Sequence, residues 1–228
     1  MLDFFATANE YGGYDLTLAG YTALSVIMVL IFLLGVFLTN RKQKQLKAKE
    51  LAFCSLALAI AFVLGTFVKL FRMPMGGSVT LFSMLFVTLI GYWYGLRTGL
   101  MAAIAYGLLQ FITNPWIVSI PQVFFDYIFA YGSLGLSGLF CNKKHGLILG
   151  YVTGVFGRFV FSFLSGIIFF AASSAEAGAT YGMSMYVYSA VYNIAYLGVE
   201  AVMTVVLLLL PPIKKALSQV KVMATTGK

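Results

Sequence analysis

Apolar runs close to the ~20 residues that a helix needs to cross a ~30 Å hydrocarbon core recur along this whole chain. On that length criterion the spans are Leu18–Leu38, Leu51–Phe71, Val79–Leu96, Gly99–Ile112, Val123–Phe140, Leu147–Ala171 and Met185–Leu210. The pattern predicts an all-α fold, a polytopic membrane helical bundle. Hydrophobic residues make up 61% of the chain and charged ones 10%, far from the composition of a soluble globular domain. The third and fourth spans are short and joined through Gly95–Gly99, which predicts a helical hairpin.

Orientation follows from the basic residues, which favour cytoplasmic loops. If the spans alternate, Arg41, Lys42, Lys44, Lys47, Lys49, Arg97, Lys143, Lys144, Lys214, Lys215, Lys221 and Lys228 fall on one side. The other side receives Arg72, with Lys69 at a span end. The expectation is a multi-pass cell-membrane protein with its N-terminus outside and its C-terminus cytoplasmic. The first run is read as a true span: acidic Asp3, Glu10 and Asp15 precede it and a basic cluster follows, the reverse of a cleaved leader. The formal charge of +8 is then topology and anionic-lipid contact, not a nucleic-acid footprint, since no binding motif accompanies the dispersed charges. Three regions are expected. Residues 1–50 hold an extracellular segment, an extra span and a basic linker; 51–213 form the core; 214–228 are a basic cytoplasmic tail.

Several chemistries are excluded. No glycine-rich loop ends in Lys-Ser or Lys-Thr, so the chain cannot cradle ATP phosphates in the P-loop manner. Gly135-Leu136-Ser137-Gly138 superficially matches a serine nucleophile segment, but the single histidine, His145, lies in a basic loop rather than on a facing helix, and a nucleophile needs a base. Gly132, Gly135 and Gly138 at helical spacing fit close helix packing instead. One histidine and two separated cysteines, Cys54 and Cys141, support no metal site. The chain is not expected to be an enzyme or to carry a cofactor.

Only Asp126, Arg158 and Glu200 place charge deep inside apolar stretches. Charge at membrane depth is costly and is retained for a partner, a ligand or an ion path. Counting along each helix at ~1.5 Å per residue brings Arg158 and Glu200 to one depth, which predicts a structural ion pair fastening the last two helices. The same count brings Asn114-Pro115-Trp116, Asp126, Tyr127, Ser162, Ser165, Phe169, Phe170, Tyr188, Tyr192 and Asn193 to a common level in the outer half. Those groups define a candidate pocket lined by rings around one carboxylate. Aromatic faces attract a ligand cation, a carboxylate can accept from an amino group, and Asn offers both a donor and acceptors. Each has a bland counterpart: interfacial anchoring for the rings, helix capping for Asp126, interhelical hydrogen bonding for Asn193. Ala57, Ala61 and Gly65 form a small-residue ridge on the second span that fits either a docking subunit or the protein's own helices.

Met73–Leu81, Gly95–Gly99, Gln122–Tyr127, Gly157-Arg158-Phe159, Ser165-Gly166 and Tyr188–Asn193 together resemble the thiamine-specific S component of energy-coupling factor transporters, over roughly Leu51 to Leu210. The resemblance implies a six-helix membrane protein that binds thiamine tightly from outside. It implies as partners a membrane coupling subunit and two cytoplasmic ATPases. Carried over by position, the binding acid is Asp126, where the family usually has Glu. Tyr127, Tyr188, Asn193 and Trp116 match the family's other contacts. Ser162 stands where the family has a histidine, and Phe170 and Met75 stand where it has tryptophans. The family's subunit-docking motif falls at Ala57 and Ala61. The departures keep two alternatives open, a thiamine precursor or another small heterocycle as ligand. A non-transport membrane scaffold is the alternative from a different class.

Overall fold

The computed structural model describes residues 2–8, 14–23, 26, 27, 30, 46–73 and 76–226. The extra span expected at Leu18–Leu38 lies largely outside the described residues, as does Met75. At the N-terminus, β1 (Ala6–Ala8) pairs antiparallel with β2 (Tyr14–Leu16). The Tyr21 ring just beyond stacks on Phe169 at 6.3 Å.

Six apolar helices make the core. They are α1 (Ala48–Phe67), α2 (Ser83–Tyr94), α3 (Leu96–Thr113), α4 (Ile120–Phe140), α5 (Gly146–Ile168) and, after the short α6 (Ala171–Thr180), α7 (Met185–Leu209). All but α2 are long and apolar enough to cross a membrane. Glu50 opens α1 by accepting the Lys47 N–H at 2.8 Å, satisfying an orphan donor of the first turn. Between α1 and α2, β3 (Lys69–Arg72) pairs antiparallel with β4 (Ser78–Thr80). The third span therefore begins at Ser83, not Val79: Val79 and Thr80 belong to the ribbon. Gly95, at φ +87°, turns α2 directly into α3, a backbone state that L side chains rarely adopt.

The α2–α3–α4 packing rests on glycine. An added Cβ at Gly135 would lie 2.5 Å from the Gly99 carbonyl carbon and from Leu100 N, backbone atoms that no rotamer change can move. Gly135→Ala is expected to push α3 and α4 apart and destabilise the protein by about 2–3 kcal/mol. At Gly132 the same atom meets only Ile104 Cγ1 at 3.4 Å, so Gly132→Ala should be nearly neutral. Thermal unfolding of the two variants in detergent measures the contrast; equal midpoints would refute the tight crossing.

Two expectations are corrected here. Ala57 and Ala61 are 3% and 0% exposed. Tyr106 donates its hydroxyl to the Ala61 carbonyl at 3.2 Å, and an added Cβ at Gly65 would meet Gln110 Nε2 at 2.9 Å. The ridge serves the chain's own helices, and the exposed face of α1 instead carries Ala52, Ser55 and Ala59. The stretch expected as a plain basic tail is mostly a helix, α8 (Pro211–Thr225). Its paired prolines sit in the first turn, where no intrahelical N–H is needed. It lies back on α1 and α2. Lys221 donates to the Cys141 carbonyl at 2.8 Å and stands 3.7 Å from the Tyr92 ring centroid. Lys49 donates to the Thr226 carbonyl at 3.3 Å.

Candidate functional site

The β3–β4 ribbon, the 114–119 loop, the N-terminal halves of α4 and α7 and the C-terminal half of α5 surround a cavity of about 170 Å³. Asp126 enters it from a π-helical turn, Phe124–Phe129. Such turns break the regular ladder and recur at functional sites. Gln122, one helical turn earlier and 1% exposed, donates Nε2 to Asp126 Oδ2 at 2.6 Å. Its Oε1 accepts the Val118 N–H at 3.1 Å, which fixes which end of the amide faces the carboxylate.

The same loop is held from below by Tyr127. Its hydroxyl accepts the Trp116 N–H at 2.9 Å and donates to the Asn114 carbonyl at 3.0 Å. Ser119 caps α4, its Oγ accepting the Gln122 N–H at 3.3 Å. Trp116 is thereby placed at the mouth, against Gly76: a Cβ there would touch the indole at 3.7 Å. The opposite wall is α7. Tyr192 accepts the Gly77 N–H at 2.9 Å and so ties the ribbon to that helix. Asn193, 4% exposed, donates Nδ2 to the Ser189 carbonyl at 2.8 Å and accepts from the Tyr196 hydroxyl at 3.0 Å. Its Oδ1 keeps a second lone pair for a ligand.

Of the residues expected at this level, Asn114, Trp116, Asp126, Tyr127, Ser162, Ser165, Phe170, Tyr188, Tyr192 and Asn193 line the cavity, whereas Pro115 and Phe169 do not. Phe170 has behind it the ring cluster of Phe125 and Phe169. Lys69 reaches the mouth. Burial, then the Arg72 charge beside it, lowers its ammonium pKa from the ordinary value.

The expected Arg158–Glu200 ion pair is not formed. Arg158 lines the cavity with its guanidinium 4.0 Å from the Tyr131 ring centroid, and its Nε has no hydrogen-bond partner. Glu200, 2% exposed, accepts from Thr80 Oγ1, from Ser83 Oγ at 3.2 Å and from the Met84 N–H at 3.0 Å. The two charges reach one depth but face different neighbours. Glu200 serves the N-terminus of α2, where backbone N–H groups favour an anion. Phe82, at φ +60°, turns the chain so that Ser83 and Met84 present their donors to it.

Gln122 was not foreseen as a site residue, although its spacing of four from Asp126 puts both on one helix face. Ser165, which the helical count places with Ser162, is 1% exposed and lines the cavity.

An apolar helical bundle holding a cavity lined by rings and polar groups, at the end opposite its lysine-rich loops, defines a multi-pass membrane protein built to take a small ligand. The thiamine transporter protein family, Thia_YuaJ, matches residues 51–219, and the chain belongs to that family. Its curated relatives include the thiamine transporter ThiT of Bacillus subtilis (strain 168). That protein is 29% identical over 173 residues, covering 69% of this chain and 85% of the relative. The solved structure of ThiT from Listeria monocytogenes superposes with a TM-score of 0.54 at 22% identity, covering 72% of this chain and 94% of that one. The likeness to that structure is one of fold. The family is one of transporters, not of enzymes.

Proposed function

We propose that the protein is the thiamine-binding S component of an ATP-driven importer, taking the vitamin into the cavity from the extracytoplasmic side. The observation that carries this is Asp126, oriented by Gln122 inside a ring-lined cavity. A carboxylate whose second oxygen is free can accept from the amino group of the pyrimidine. Phe170 and Tyr188 offer faces for the two rings, and aromatic faces attract the cationic thiazolium. Asn193 supplies an acceptor on the opposite wall.

The outward-facing orientation is supported by charge. Arg97, Lys143, Lys144, Lys214 and Lys215 lie in the loops and helix away from the cavity, consistent with a cytoplasmic end. That orientation puts the N-terminus outside and α8 at the inner surface.

The chain carries no P-loop, which agrees with a division of labour in which a membrane coupling subunit and two cytoplasmic ATPases supply the energy. The exposed small-residue face of α1, Ser55 and Ala59, allows a partner helix to approach closely. Ala59→Trp is expected to leave thiamine binding by the isolated protein unchanged within about twofold. It should reduce uptake by the assembled transporter at least about tenfold, the loss following from a blocked close approach. Unchanged uptake would move the docking surface elsewhere.

The reading as a whole is tested by titrating the purified protein with thiamine, following tryptophan fluorescence and checking by calorimetry. Saturable one-to-one binding supports it. Binding of the pyrimidine alcohol without thiamine would reassign the ligand to a precursor, and binding of neither would overturn the vitamin reading.

A further inference from the structure

Four tyrosines form a continuous ladder from the surface into the cavity. Tyr188, Tyr192 and Tyr196 recur every four residues on α7, the spacing that places side chains on one helix face, and all three line the cavity. Tyr181 lies just beyond it and is 69% exposed. Its ring stacks on Tyr188 at 6.4 Å with an interplanar angle of 11°. The next steps are 6.1 Å from Tyr188 to Tyr192 and 5.7 Å from Tyr192 to Tyr196.

The outer rung is held in place. Tyr181 ends α6 with its N–H on the Gly178 carbonyl at 3.0 Å, and the turn continues with Gly182 N–H to Ala179 at 3.1 Å and Met183 N–H to Gly178 at 2.8 Å. Gly182, at φ +67°, makes that tight return possible. The inner rungs are held by their hydroxyls: Tyr192 accepts the Gly77 N–H, and Tyr196 donates to Asn193. At 69% exposure the Tyr181 ring buries little of its surface, so most of it stays open to a ligand arriving from outside the cavity.

We infer that Tyr181 is an outer encounter site for a flat organic cation, from which the ligand passes inward over Tyr188 to the cavity. Each ring face is attractive to a cation, and the centroids of Tyr181, Tyr188 and Tyr192, about 6 Å apart in near-parallel pairs, let a heteroaromatic ring engage the next before leaving the last, while Tyr196 meets Tyr192 edge-on at 66°. This rests on the thiamine reading of the cavity. A site that lowers only the barrier to binding speeds capture and release by the same factor and leaves equilibrium affinity alone.

Stopped-flow fluorescence with the full chain tests this. Tyr181→Ala is expected to lower both the association and the dissociation rate of thiamine about fivefold, the scale of one exposed cation–π contact, with Kd unchanged within about twofold. Tyr181→Phe, which keeps the ring, should restore both rates. The neutral pyrimidine alcohol should show no slowing, which a merely structural effect on the mouth would not spare. Unchanged association in Tyr181→Ala, or equal slowing of the neutral ligand, overturns the inference while leaving the vitamin reading intact. Failure of the wild-type protein to bind thiamine overturns both.

Discussion

Replacing Asp126 by asparagine is expected to weaken thiamine binding about 100-fold, roughly 2.7 kcal/mol, with little change in thermal stability. The size follows from how Gln122 is held. Because its Oε1 already accepts from Val118, its Nε2 must face residue 126. An asparagine there satisfies Gln122 only by presenting its Oδ1, which turns its NH2 group toward the cavity. The ligand amino group then meets a donor where it had an acceptor, and the cation loses the nearby negative charge. Losing a hydrogen bond to a charged group costs about 1.5–3 kcal/mol. Asp126→Glu, one methylene longer, should stay within about tenfold of the wild type. Calorimetric titration of both variants, with unfolding midpoints as a control, decides the matter. A loss below about threefold in Asp126→Asn would show that the carboxylate is a capping group and not a ligand contact.

The membrane bundle was legible because bilayer physics writes it in long apolar runs, and the site was legible because polar groups inside such runs are scarce. Asp126 and Asn193 stand out for that reason, and one helical count placed them at the level where the cavity lies. What failed was direction around the helix axis. Counting gives depth, but Arg158 and Glu200 at one depth point to Tyr131 and to the start of α2 respectively. The same gap explains Ala57 and Ala61: a ridge of small residues permits close approach and does not say by whom. Their spacing with Cys54 and Gly65 is that of the buried stripe of α1.

Local structure was hidden for another reason. Val79 to Leu96 reads as one apolar run, and periodicity alone cannot separate a short buried strand from the helix after it. The break is encoded in the left-handed backbone at Phe82, a state no sequence rule assigns to a bulky residue. α8 lies past the last apolar run, where its lysines read as a basic tail, although Pro211-Pro212 in a first turn is compatible with a helix start.

Glu200→Ala is expected to destabilise the protein by about 3–5 kcal/mol, since each buried donor left without an acceptor costs about 1–3 kcal/mol. Removing the carboxylate leaves the Met84 N–H without its acceptor and the Thr80 and Ser83 hydroxyls with only each other. It also removes the anion at the start of α2 and the link between β4 and α7. Glu200→Gln keeps an oxygen acceptor and nearly the same volume, so it should cost only about 1 kcal/mol, one net hydrogen bond. Thermal unfolding in detergent orders the two variants, and equal losses would mean that the carboxylate charge, not its hydrogen bonds, holds the network. A double-mutant cycle separates this from the ion-pair alternative. Because Glu200 is held by Thr80, Ser83 and Met84 while Arg158 lies over the Tyr131 ring, Arg158→Met and Glu200→Gln should combine with a coupling below about 0.5 kcal/mol, as for sites with no shared partner. A coupling of several times that size would restore the direct pair. Near-additivity leaves Arg158 as a cavity wall group whose loss is felt in ligand affinity before it is felt in the fold.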